Sequence, residues 1–306
     1  SMRVFVTGVN GQLGHDVMNE LARRGIDAVG SGMEPEYVGI MDGSPVCRMP
    51  YVGLDLTNEE EARRILTEEK IDCLIHCAAW TAVDDAEDPE KKDLVFRING
   101  EVPGNLAGVM KDLKGKMLYL STDYVFSGEG TKPWEEEERD FHPINVYGAS
   151  KLAGEEAIRK VLPEHFIVRI AWVFGLNGKN FIKTMLNVGK KHPSVRVVSD
   201  QVGSPTYTLD LARLLVDMVE TEKYGTYHAT NEGEYISWYD FTKAIYEEAG
   251  LSTEVIPVTT EEYGLSKARR PFNSRLSKEK LKREGFQGLP HWKDALKRYL
   301  QALEAE

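Results

Sequence analysis

Val6-Thr7-Gly8-Val9-Asn10-Gly11-Gln12-Leu13-Gly14 decides how the whole chain is read. The run Arg3–Thr7 that leads into it is apolar and β-branched, and Leu13–Arg24 behind it carries a helical apolar period, so the glycines fall on a strand-to-helix turn. Glycine lacks a Cβ and takes positive φ freely, which lets a diphosphate approach the N–H groups at the positive end of a helix. Gly8, Gly11 and Gly14 stand three apart, whereas the familiar G-x-G-x-x-G places its first two glycines two apart. The turn reads as a dinucleotide site, with Gly8, Gly11, Gln12, Leu13 and Gly14 as its candidate residues. A plain tight turn is the alternative.

Outward from this turn, apolar runs at Asp27–Gly30, Cys73–Cys77, Met117–Ser121 and Phe166–Ala171 alternate with helical patterns at Asn58–Lys70, Leu94–Lys111 and Tyr147–Lys160. Thr57, with Glu60 three residues on, predicts a capping box for the first of these helices. Such alternation builds βαβ units, and the expected architecture is an α/β doubly wound parallel sheet over residues 2–175. Beyond Asn177 the pattern turns mostly helical. Residues 176–306 are expected to form a smaller, mainly substrate-binding domain, with a stretch at about 195–230 returning to the first. Ser31–Gly53 and Ser127–Asn145 read as loops, and the acidic run Glu135–Glu138 as solvated surface.

The 306 residues are 42% hydrophobic, enough for a substantial core. Thirty-eight basic against 49 acidic residues leave a net charge of −11, which repels a phosphate backbone at long range and argues against a nucleic-acid partner. Cys47, Cys73 and Cys77 are too few for a disulfide framework and read as reduced, buried thiols. No apolar stretch approaches the roughly 20 residues of a membrane span, the first strand follows the N-terminus directly, and a cytoplasmic location is expected. Ser1 ahead of Met2 has the look of a vector remnant and carries no weight in the fold.

The catalytic candidate is Tyr147-Gly148-Ala149-Ser150-Lys151, which places a phenol and an ammonium one helical turn apart on one face. A nearby Lys⁺ favours phenolate and is expected to lower the tyrosine pKa from about 10 toward neutrality. The same spacing recurs at Tyr239/Lys243 and Tyr263/Lys267. Position separates the three pairs, because only Tyr147 follows a strand ending in hydroxyls, Ser121-Thr122. A hydroxyl at a strand's carboxyl end points into the crevice where open α/β sheets bind ligands, so Thr122 is placed to hydrogen-bond a carbonyl beside Tyr147.

Seven ordered segments together resemble the dTDP-4-dehydrorhamnose reductase family of the extended short-chain dehydrogenase/reductases, along nearly the whole chain. They are Gly8–Gly14, Cys77–Asp84, Ser121–Phe126, Asn145–Gly148, Arg169–Trp172, Asp200–Thr206 and Arg270–Leu276. The resemblance implies a Rossmann-type sheet and NADPH or NADH delivering hydride to C4 of dTDP-4-dehydro-β-L-rhamnose, giving dTDP-β-L-rhamnose. It implies that Tyr147 gives the proton, that Lys151 tunes Tyr147 and holds the ribose, and that Thr122 orients the carbonyl. It places Asp55 and Leu56 by the adenine, and Ala78, Ala79 and Thr81 along the cofactor, with Asn99 supporting them. Asp123, Tyr124 and Trp172 are implied sugar contacts, and Asn273 and Arg275 are assigned to the nucleotide end, where a guanidinium suits a diphosphate.

The largest departure from the family is the Ser31–Gly53 insertion after the strand that selects NAD or NADP. Glu34 and Glu36 lie near that strand's end and no Arg precedes Arg48, which leaves the preference open. Some relatives are magnesium-dependent dimers, but His291-Trp292-Lys293-Asp294 offers no clear acidic site, so no metal is assigned and the chain is read as monomer or homodimer. Two rival readings remain on the same fold. A nucleotide-sugar dehydratase or epimerase is one, although Tyr124 stands where dehydratases carry Glu. A non-catalytic NADP-binding subunit, resembling the β subunit of methionine adenosyltransferase, is the other; the intact Thr122, Tyr147 and Lys151 argue against it.

Overall fold

The computed structural model describes residues 1–264 and 266–305. Its centre is a seven-stranded parallel sheet of β1 (Arg3–Thr7), β2 (Asp27–Gly32), β3 (Tyr51–Gly53), β4 (Cys73–His76), β5 (Lys116–Thr122), β6 (His165–Ile170) and a late strand, Gly225–His228. From the late strand inward the order is Gly225–His228, β6, β5, β4, β1, β2, β3. The direction of winding reverses between β1 and β4, and the carboxyl ends of those two strands open a crevice.

Strand periodicity sorts the core into two layers. Val4 and Val6 of β1 face one side with Ile75, Leu118, Leu120, Phe166 and Val168, against α1 (Gln12–Arg23) and a later helix, Thr208–Val219. Phe5 faces the other with Leu74, Met117, Tyr119 and Ile167. There it meets α2 (Glu59–Glu68), α4 (Val102–Asp112) and α5 (Val146–Val161). Each layer buries a continuous apolar face, the dominant favourable contribution to the fold. A separate aromatic cluster, including Phe174, Tyr207, Phe241, Trp292 and Tyr299, is the core of the later half of the chain.

Several local expectations are corrected. α2 is capped by Asn58, whose side chain accepts from Glu61 N at 3.1 Å, while Thr57 donates to Asp55 Oδ1 through both N and Oγ1, so the Thr57–Glu60 box does not form. The helix expected over 94–111 divides into α3 (Lys92–Phe96), a π turn at Arg97–Glu101, and α4. Pro103 explains the break, because it has no N–H for the Asn99 carbonyl four residues back, and that carbonyl instead accepts from Tyr119 Oη at 3.1 Å.

The insertion read as a loop contributes regular structure at both ends, since β2 runs on to Gly32 and β3 adds an edge strand at Tyr51–Gly53. Within the acidic run Glu136 is buried and accepts from Lys280 N at 3.0 Å. Cys73 is buried, Cys47 and Cys77 are half-buried, and all three are free thiols. Among the described residues no helix is long and apolar enough to cross a membrane.

Candidate active site

The glycine turn is a packing solution as well as a ligand cradle. Gly8 has φ +70°, and a Cβ there would lie 2.8 Å from Ala78 N. A Cβ on Gly14 would collide with the Gly8 carbonyl. Gly11 differs: its Cβ would meet only one atom, at 3.4 Å, and the space above it belongs to the crevice. As N-cap of α1, Gly11 offers no side chain to the first-turn N–H groups, and that turn holds no acidic residue. The residues therefore fit a dinucleotide, with free amides and a positive helix end where its diphosphate would lie.

The crevice has a volume of about 940 Å³, near the top of the range for small-molecule sites. All five glycine-turn candidates line it, as do Leu56, Ala78, Ala79, Thr81, Thr122, Asp123, Tyr124, Tyr147, Lys151 and Trp172. Four candidates do not reach its wall. Asp55 turns away to bond Thr57, leaving Leu54 and Leu56 as the surface. Asn99 is buried behind the wall, where it accepts from Trp80 N at 2.9 Å and donates to Trp80 O at 3.1 Å and Ser150 Oγ at 3.0 Å. Asn273 ties down the 129–132 loop by donating to Glu129 O and Lys132 O, and accepts from Arg275 Nη1 at 3.0 Å. Arg275 is thereby held against Asn273, and neither lines the crevice.

α5 carries the chemistry because of how it starts. Asn145 caps it, accepting from Gly148 N at 2.8 Å, and a Cβ on Gly148 would strike the Tyr124 carbonyl. Close approach sets the Tyr147 ring edge-on to Tyr124, with centroids 5.9 Å apart, beside Thr122. Lys151 follows one turn later with Nζ 4.3 Å from the Tyr119 ring centroid. The Tyr239/Lys243 and Tyr263/Lys267 pairs lie outside the crevice wall.

The electrostatics differ from the expected phenolate. Burial, then the Asp123 charge, pushes the Tyr147 hydroxyl above its usual value, against a hydrogen bond with Thr122. Burial lowers the Lys151 ammonium to about 7, opposed by Glu155 and Cys77. At neutral pH Tyr147 therefore holds its proton, which is the state an acid needs. Asp123 is raised to about 6 by burial, against hydrogen bonds with Ser274 and Thr122, and its Oδ2 is buried without a partner.

Behind this wall Glu155 is fully buried. It accepts from Ser121 Oγ at 2.5 Å, from Arg169 Nε and Nη2 at 3.0 and 2.8 Å, and from Arg159 Nη2 at 2.7 Å. These partners, above all the charge of Arg169, outweigh burial and hold the carboxylate down at about 2.

Sequence reasoning missed residues whose roles depend on distant partners. Trp238 lines the crevice and stacks on Trp172 with centroids 3.6 Å apart; Trp172 itself has φ +51°, a strained conformation for a bulky residue. Asn177 donates to the carbonyls of Asn10 and Gly11 at 2.9 and 3.0 Å, while Gln12 Oε1 accepts from Gly175 N and Asn180 Nδ2, both at 2.9 Å. The only local hint was Ser237 three residues before Asp240, a helix-start pattern that places Trp238 at a first turn.

Comparison with known proteins agrees with this geometry. The family described as the RmlD substrate binding domain matches residues 2–305. The chain is 36% identical to the spore coat polysaccharide biosynthesis protein SpsK of Bacillus subtilis, over 98% of this chain and 97% of that one. It is 35% identical to the dTDP-4-dehydrorhamnose reductase of Streptomyces griseus, over 98% and 94%. A crystal structure of dTDP-4-dehydrorhamnose reductase from Bacillus anthracis str. Ames in complex with NADP superposes with a TM-score of 0.88, at 37% identity and 99% coverage of each chain. The chain belongs to the RmlD substrate binding domain family, that of the dTDP-4-dehydrorhamnose reductases, and is an NAD(P)-dependent oxidoreductase.

Proposed function

We propose that the chain reduces the C4 keto group of dTDP-4-dehydro-β-L-rhamnose to give dTDP-β-L-rhamnose. One observation carries the reading: Thr122, Tyr147 and Lys151 converge on a single crevice whose far side is the glycine turn. The nicotinamide cofactor supplies the hydride when bound. Tyr147, protonated at neutral pH, donates its proton to the substrate oxygen as the carbonyl becomes an alcohol. Thr122 donates a hydrogen bond to the same oxygen. Lys151, as a cation, stabilises the phenolate left on Tyr147 and hydrogen-bonds the cofactor ribose.

Asp123, Tyr124 and the Trp172–Trp238 stack form the wall on which the sugar rests. Ala78, Ala79 and Thr81 flank the cofactor, with Asn99 holding that segment against α5. The division of the chain at about residue 175 into a cofactor domain and a mainly substrate-binding domain belongs to the same proposal. The test is loss of nicotinamide absorbance on mixing the protein, NADPH or NADH and freshly generated dTDP-4-dehydro-L-rhamnose. Turnover that Tyr147→Phe abolishes supports the reading. No turnover by folded protein that binds cofactor overturns it.

A further inference from the structure

One end of the crevice is built by the insertion after β2, which neither the glycine turn nor the catalytic group uses. β2 ends in Ser31 and Gly32, the chain continues through Met33 and Glu34, and Val38 returns to the same wall. Three contacts hold the insertion over the glycine turn. Val38 N donates to Asn10 Oδ1 at 2.9 Å, Ile40 N donates to Asn177 Oδ1 at 3.0 Å, and Asp42 Oδ2 lies 3.1 Å from His15 Nε2.

Met33 and Val38 are 69% and 61% exposed although they line a cleft. Apolar side chains left uncovered in a wall suit the face of a flat, largely apolar ring, and Leu54 and Leu56 belong to the same wall. The end of the second strand is where a doubly wound sheet meets the adenosine ribose.

The charge at this end has one sign. Glu34 is the titratable residue of the wall segment 31–38, and the basic residues of the wall, Lys151 and Lys179, come from α5 and from the Asn177 loop. Arg48 is turned to the carbonyls of Gly43 and Ser44, and Arg97 to that of Thr57. A side chain at position 32 would collide with the Asn10 amide and the Tyr51 hydroxyl. Tyr51 Oη donates to the Glu34 carbonyl at 2.7 Å, which fixes the backbone that carries this carboxylate.

We propose that Glu34 makes this subsite select a dinucleotide with a free ribose 2′-hydroxyl, NADH, over the 2′-phosphorylated NADPH. A carboxylate accepts a hydrogen bond from the hydroxyl, whereas a 2′-phosphate brings like charge to the 31–38 stretch of wall, where no described residue supplies a cation. The inference rests on the cofactor reading of the crevice. A relative 37% identical to this chain was solved in complex with NADP, so the proposal rests on the residues of this stretch of wall alone.

The experiment is isothermal titration of 5′-AMP, adenosine 2′,5′-bisphosphate, NADH and NADPH into the native chain, Glu34→Arg and Glu36→Arg. Circular dichroism of each protein checks the fold. In the native chain the unphosphorylated member of each pair binds at least about tenfold tighter, equivalent to about 1.4 kcal/mol. Glu34→Arg cancels or reverses that ratio, and Glu36→Arg, outside the wall, keeps it. Equal or tighter binding of the 2′-phosphorylated members by the native chain overturns the proposal and leaves the cofactor reading standing. An unchanged ratio in folded Glu34→Arg removes Glu34 as the selector. Binding of none of the four overturns both readings.

Discussion

Replacing Glu155 by Gln tests whether the buried charge cluster behind the site stabilises the fold. Glu155 and Arg169 are both fully buried, and the glutamate accepts two hydrogen bonds from that guanidinium. Its proton affinity falls from an ordinary 4.5 to about 2. At about 1.4 kcal/mol per tenfold change, ionisation contributes about 3 kcal/mol. Removing one partner of a buried pair costs about 3–5 kcal/mol in other proteins, so two routes agree on the size.

Because the folded value is depressed, this stability is fully present above the unfolded value of 4.5 and is lost as pH falls toward 2. For a chain of 306 residues, an unfolding entropy of about 2 cal/mol/K per residue turns 3 kcal/mol into a drop of about 5 °C in Tm. Differential scanning calorimetry at neutral pH should show that drop, and the gap between native and Glu155→Gln should close in acid. A variant within about 1 °C of native at neutral pH would refute the reasoning.

The other expectations concern the site itself. Lys151 titrates near 7 in the free protein, so the cation it supplies is lost as pH rises through that value, and kcat/KM should fall along the same limb; Glu155→Gln, which removes a charge holding Lys151 up, should move the limb to lower pH. Gly11→Ala should fold normally yet bind dinucleotide at least about tenfold more weakly, because its methyl enters the cradle, whereas Gly14→Ala should unfold at lower temperature because its methyl meets the Gly8 carbonyl; calorimetry and titration separate the two. Trp238→Ala removes an aromatic stack worth about 1 kcal/mol and should raise KM for the sugar several-fold with cofactor affinity unchanged.

The parts of this molecule that the sequence exposes are those set by near neighbours. The glycine turn could be read because a strand, three glycines and a helix follow one another without interruption, and β1 lies at Arg3–Thr7 as expected. Tyr147 could be told from Tyr239 and Tyr263 because strand β5 ends in hydroxyls just upstream. Distance in sequence hid the rest. β3 is three residues long and gains its pairing only from β2, so no periodicity marks it. The π turn depends on Pro103 meeting a tyrosine on β5, and Trp238 joins the crevice only when it stacks on a residue 66 positions earlier. Asn273 and Arg275 illustrate another kind of distance, since the motif transfers residue identity but not that the Asn273 amide reaches the carbonyl of Lys132, 141 positions earlier, while accepting from Arg275.

Gln12 sits on the turn that would receive the diphosphate, yet its side-chain carbonyl is committed to Gly175 and Asn180, which lead into the later half of the chain. Asn180 in turn donates to Tyr299, whose hydroxyl donates back to the Gly175 carbonyl, so a continuous polar linkage runs from the cradle to the aromatic core of the later half of the chain. Whatever factor a ligand at one end of this linkage changes affinity by at the other, reciprocity requires the second ligand to return.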